Sequence, residues 1–161
     1  MRALLSCMAG PAGHKRSLMA AGLIGSVLPD IDLLYFYLAD ERQTHHHLYW
    51  THLPVFWLAA LGFGIVALTL LGQRVWLPVF YVLVSGVFLH LALDTVAGDI
   101  WWLMPAVRQP YALFTVPAHH QPWILNFLLH WTFLLELALA VAAAAVYARR
   151  RHLSRTRTNK E

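Results

Sequence analysis

Charge is what this chain has least of: 12% of its 161 residues are Asp, Glu, Lys or Arg, against about 25% in a soluble globular domain. With 59% apolar residues as well, it is neither a disordered segment nor a surface-charged coiled coil. A single cysteine, Cys7, excludes an intrachain disulfide and with it a stapled secreted scaffold. No internal repeat is present. Before the first long apolar run, the stretch Ala3–Met8 is broken by Gly10, Pro11 and Gly13. It is too short for a removable signal or for Leu4-Leu5-Ser6-Cys7 to serve as a lipoprotein cleavage box.

What the chain does have is long hydrophobic runs. Ser17–Leu38, Leu53–Gly72, Val75–Ala97 and Trp123–Ala148 each reach the roughly 20 residues that a helix needs to cross hydrocarbon. The expected fold is an all-α integral membrane bundle of four transmembrane helices. Residues 1–148 then form one domain and 149–161 a basic cytoplasmic tail that frays. With both termini on one face, that face holds ten of the twelve Lys and Arg residues, and only Arg42 and Arg108 fall opposite. Basic residues stay inside, so both termini are expected in the cytoplasm and loops 39–52 and 98–122 outside, in a membrane of bacterial inner type. The net charge of +4 is accounted for by topology and contact with membrane lipids, and no nucleic acid is expected. Tyr35, Tyr37, Tyr49, Trp50, Trp101, Trp102 and Trp123 gather near the outer boundary, where aromatic rings sit at head-group level.

Ionisable groups inside such spans are costly and mark functional sites. Asp30, Asp32, His90, Asp94, His130 and Glu136 are of this kind. At about 1.5 Å per residue, Asp30, His90 and His130 lie roughly 10 to 12 Å below the same outer face. The loops add His45, His46, His47 and His52, then His119 and His120, so eight of ten histidines lie on or near that face. Imidazole with carboxylate is a donor set for a divalent metal, zinc first, with manganese or iron also suited.

Spacing sharpens the set. His90 and Asp94, at i and i+4, share one helix face, which suits two ligands of one metal or a carboxylate that orients a ligating histidine. Asp30 and Asp32 would point apart on a regular helix, but Pro29 removes a donor and disfavours helical angles at Leu28. A break there could aim both carboxylates inward; the alternative is a span that ends early in an exposed turn. In Thr44–His52, His47 and His52 are better candidates than His45 or His46, because His52 is fixed beside a helix expected to start at Pro54. Asn126 shares a face with His130 as possible site lining, while Glu136 is a packing residue.

Three ordered blocks resemble the YdjM-type family of inner-membrane metal-dependent hydrolases. They are Leu28-Pro29-Asp30-Ile31-Asp32, then His47 with Thr51-His52, then His90 with Asp94 followed by Gly98 and Trp102-Leu103-Met104-Pro105. They correspond to LPDxD, HRGxTHS and HxxxD patterns. The resemblance implies a helical membrane protein that holds a metal, with Asp30, Asp32, His47, His52, His90 and Asp94 as ligands, and hydrolysis by analogy to zinc-dependent phospholipases. Leu33, Leu48 and Leu53 stand where the pattern has His, Arg and Ser. His14 is left outside the site.

The resulting expectation is a membrane-bound metal-dependent hydrolase acting on a lipid-like ester or phosphoester near the outer face. His47 is a ligand or proton shuttle, and His130 an additional catalytic or substrate group. A b-type haem between His90 and His130, a transporter and polar helix packing without chemistry are the alternatives.

Overall fold

The computed structural model describes residues 11–41, 43–114, 116–117 and 124–158. Among them the regular structure is helical: α1 Pro11–Val27, α2 Asp32–Leu38, α3 Pro54–Leu70, α4 Leu77–Asp94, α5 Ile124–Leu128 and α6 Trp131–Thr158. The chain divides into two compact units, Met1–Phe114 and Thr115–Glu161, the first carrying α1 to α4 and the second α5 and α6. Gly13–Leu38, Arg74–Asp94 and Trp131–Leu153 are long and apolar enough to cross a membrane, and Pro54–Leu70 is a shorter apolar helix. At 17 residues, α3 spans about 25 Å. This is an all-helical integral membrane protein.

In the first unit, α1 packs along α4. Lipid tails are as apolar as leucine, so helices in a bilayer associate through close packing and small residues. Here a Cβ on Gly86 would lie 2.6 Å from the Gly22 carbonyl oxygen, and one on Gly25 would collide with the Leu83 carbonyl. The two backbones are therefore in direct contact, and only glycine fits. Toward the end of α4 that carries Asp94, Trp57, Val87 and Leu91 form a small core with Leu28, Ala60, Phe88 and Trp102 against it.

The first span breaks where Pro29 places it. Leu28–Ile31 tightens into a 3-10 turn between α1 and α2, so the span bends without ending. Proline also starts α3 at Pro54, as expected, since its missing N–H costs nothing there. Between α2 and α3, the Asp40 carboxylate accepts the Thr44 amide at 2.7 Å, which holds that carboxyl below its usual range. Two 3-10 turns follow, His46–Leu48 and Trp50–His52. After α4 the chain folds back on itself: Ile100 and Tyr111 form an isolated antiparallel bridge, and the amides of Leu113 and Phe114 donate to the carbonyls of Thr95 and Val96 at 2.8 and 3.0 Å.

In the second unit, α5 gives way to a turn at Leu129 and His130 before α6 begins. The expected fourth span is thus interrupted near its start. Its other end also differs from expectation: α6 is 28 residues long and carries the helix unbroken through Arg149, Arg150 and Arg151 to Thr158. Alanine-rich helix before these arginines and good helix formers within them explain the continuation.

A candidate metal centre beside the helix break of the first unit

Three non-adjacent stretches meet beside the break. The 3-10 turn and α2 bring Asp30 and Asp32, the loop turns bring His47 and His52, and the last turns of α4 bring His90 and Asp94. Among the described residues, two groups are close enough to hold a metal ion: Asp30, His52 and His90, and His47, His52 and Asp94. Asp94 Oδ2 lies 3.0 Å from His90 Nε2, 3.5 Å from His52 Nε2 and 3.8 Å from His47 Nε2. Asp30 Oδ1 lies 3.6 Å from His90 Nε2 and 3.9 Å from His52 Nε2.

Each imidazole is held from behind. His52 Nδ1 lies 2.6 Å from Asp32 Oδ2, His90 Nδ1 lies 2.8 Å from the Ser26 carbonyl, and His47 Nδ1 lies 3.2 Å from the Asp99 carbonyl. Carbonyl and carboxylate oxygens only accept, so all three rings carry a proton on Nδ1 and turn Nε2 toward the carboxylates. This is the outer support by which proteins fix metal-ligating histidines. His90 Nε2 is buried and makes no hydrogen bond of good geometry.

The supports are themselves braced. The Thr51 hydroxyl donates to Asp32 Oδ2 at 2.6 Å, and the Trp57 indole N–H donates to the Thr51 carbonyl at 2.7 Å. Asp32, Thr51 and His52 are all buried. Burial pulls the His52 imidazole down, but its hydrogen bonds to Asp32 and Asp94 outweigh this and push it up to about 9. Gly98 lies against His47: a Cβ there would be 2.6 Å from His47 Cε1. The His45 ring lies 5.4 Å from Trp101, edge to face, and 5.4 Å from His47 at a tilt.

Both carboxylates of the Pro29 break do turn inward, and they meet opposite edges of one ring: Asp32 at Nδ1 of His52, Asp30 at Nε2. Asp30, His47, His52, His90 and Asp94 are brought together, whereas Asp32 stands behind His52 and belongs to neither group. His14 sits near the start of α1, about 20 Å of helix from the break. His130 belongs to the second unit, where Nδ1 pairs with the Thr132 hydroxyl at 2.8 Å. Asn126 and Glu136 also lie in that unit, and His119, His120 and Trp123 lie outside the described residues. The orienting carbonyls of Ser26 and Asp99 carry no signature in the sequence, because any residue supplies one.

The donor set fits a metal. Zinc binds imidazole nitrogen and carboxylate oxygen at about 2.0–2.2 Å, so two donors on one ion stand no more than about 4.4 Å apart. Every separation above falls within that limit. The model of the YdjM inner membrane protein family matches residues 2–153. No curated protein and no solved structure matches.

Proposed function

The chain belongs to the YdjM inner membrane protein family, and from that premise we propose that it is a membrane-bound metal-dependent hydrolase acting on a lipid-like ester or phosphoester. The observation that carries the proposal is the convergence of three imidazole Nε2 atoms and two carboxylates, each imidazole locked from behind. Polar helix packing needs no such common focus. A haem on His90 is disfavoured, because Nε2 already faces Asp94 and Asp30 at 3.0 and 3.6 Å.

Asp30, His47, His52, His90 and Asp94 would hold a divalent metal, zinc by preference. Such an ion acidifies water and steadies the negative charge that builds on an ester or phosphoryl oxygen. The protein's own part is positional and acid–base. Asp30, with 41% of its side chain exposed, is the most open of the donors and faces arriving solvent. Its carboxylate accepts a proton from the attacking water as the water oxygen bonds to the ester carbon or phosphorus. The same proton then passes to the departing alkoxide, so the products are an acid and an alcohol. His47, from the loop turn His46–Leu48, is the other candidate for moving a proton. Leu48 and Leu53 stand where the resembled pattern has Arg and Ser, and hydrocarbon in those places supports an amphiphilic substrate over a purely polar one. The basic-residue asymmetry supports an outward-facing site with both termini cytoplasmic.

The test is hydrolysis by detergent-purified protein, stripped and reloaded with zinc or manganese, assayed on phospholipid in mixed micelles and on soluble aryl esters and phosphoesters. Metal-dependent turnover that disappears in well-folded His90→Ala and Asp94→Ala proteins is expected. Metal-loaded wild type inert on every substrate would refute the hydrolase.

A further inference from the structure

We infer that the cluster holds one divalent ion rather than two, and that Asp32 positions His52 without ligating that ion. This deepens the proposal above and rests on its metal-binding part. His52 belongs to both donor groups, and its Nδ1 is already committed to Asp32 at 2.6 Å. Only Nε2 remains, and it is Nε2 that faces Asp30 on one side and Asp94 on the other. A ring nitrogen has one in-plane lone pair and cannot serve two ions. The two groups therefore cannot each hold an ion at the same time. A two-metal hydrolytic centre sets its ions about 3.5–4 Å apart and gives each its own donors; with His52 committed to one ion, the other group is left with two donors.

Asp32 stands outside that sphere. Its Oδ2 receives both the Thr51 hydroxyl and His52 Nδ1–H, each at 2.6 Å, so the imidazole lies between this oxygen and the donors. A carboxylate behind a ligating histidine fixes the tautomer and raises the basicity of the nitrogen that binds. Asp32 is therefore a positioning residue, unlike Asp30 two residues earlier, although the two aspartates look equivalent in the sequence.

Zinc titration of chelator-stripped, full-length protein by calorimetry, with elemental analysis of the loaded form, reads the number directly. One zinc per chain is expected. Two per chain would overturn the single-ion inference while leaving a metal hydrolase standing, and none would overturn both. Asp32→Asn is expected to keep one zinc per chain with about 10- to 100-fold weaker binding, and to keep the wild-type cobalt absorption band, which reports the ligand number. Loss of zinc from folded Asp32→Asn, or a changed band, would make Asp32 a ligand. If that variant fails to fold, X-ray absorption on zinc-loaded wild type decides. Three imidazoles and at most two carboxylate oxygens around an isolated zinc are expected; a third carboxylate or a zinc–zinc vector near about 3.5–4 Å would refute the inference.

Discussion

Replacing Gly98 with alanine tests whether the loop after α4 controls one of the donors. Its backbone is not in the left-handed region, so the effect is steric alone. The new Cβ would stand 2.6 Å from His47 Cε1, where ordinary contact begins at 3.4 Å, and 3.0 Å from the Asp94 carbonyl oxygen. The Asp94 carbonyl is anchored by the Gly98 amide at 2.6 Å and has little room to move. His47 must then retreat by about 0.8 Å, several times the roughly 0.2 Å that metal–ligand distances tolerate. We expect at least a tenfold loss of zinc affinity, equal to about 1.4 kcal/mol, measured by competition with a chromophoric chelator. The metal-free protein should lose about 1–3 kcal/mol to overpacking, measured by thermal unfolding. Since the affinity loss acts through His47, Gly98→Ala should weaken zinc binding little further in a His47→Ala background. Wild-type zinc affinity in Gly98→Ala, or losses that add in full in the double variant, would refute the reasoning.

Gly86→Leu should separate α1 from α4, because even its Cβ meets the Gly22 carbonyl; a sharp fall in melting temperature and loss of metal are expected, while Gly62→Ala, which meets nothing within 4 Å, should be near neutral. In metal-free protein the folded His52 stands at about 9, above its ordinary 6.5. A raised folded value stabilises fully below about 6.5 and is lost as pH climbs through about 9, so the melting temperature should fall over that window and flatten in His52→Gln. An unchanged wild-type profile would count against the Asp32–His52–Asp94 network. In a Cys7→Ala background, Gln43→Cys should react with an impermeant maleimide from outside the cell and Arg151→Cys only after lysis; the reverse pattern would invert the topology.

The helices were legible because their signals are local. Apolar length marks the spans, and proline marks the start of α3 and the break after α1. Asp30, His90 and Asp94 were legible because ionisable groups are rare in such spans, and His47 and His52 because they stand in a histidine-rich loop just before the proline that starts α3. What was hidden is relational. Asp30 and Asp32 are chemically alike, and only the 3-10 turn decides which meets Nε2 and which meets Nδ1 of His52. His130 has the same residue type and expected depth as His90, yet its described partner is Thr132, because the chain turns just before α6. The supports behind His90 and His47 are main-chain carbonyls, which composition cannot announce.

Those supports also set an order of events. The rings of His90, His52 and His47 are steadied by Ser26, Asp32 and Asp99 respectively, and the last of these lies beyond the end of α4. A chain entering the membrane from its N-terminus therefore has no complete site until about the hundredth residue has emerged and folded back. If the site takes the proposed ion, its capture is a late act of biogenesis, and a loaded centre would certify that the first unit has been inserted and closed.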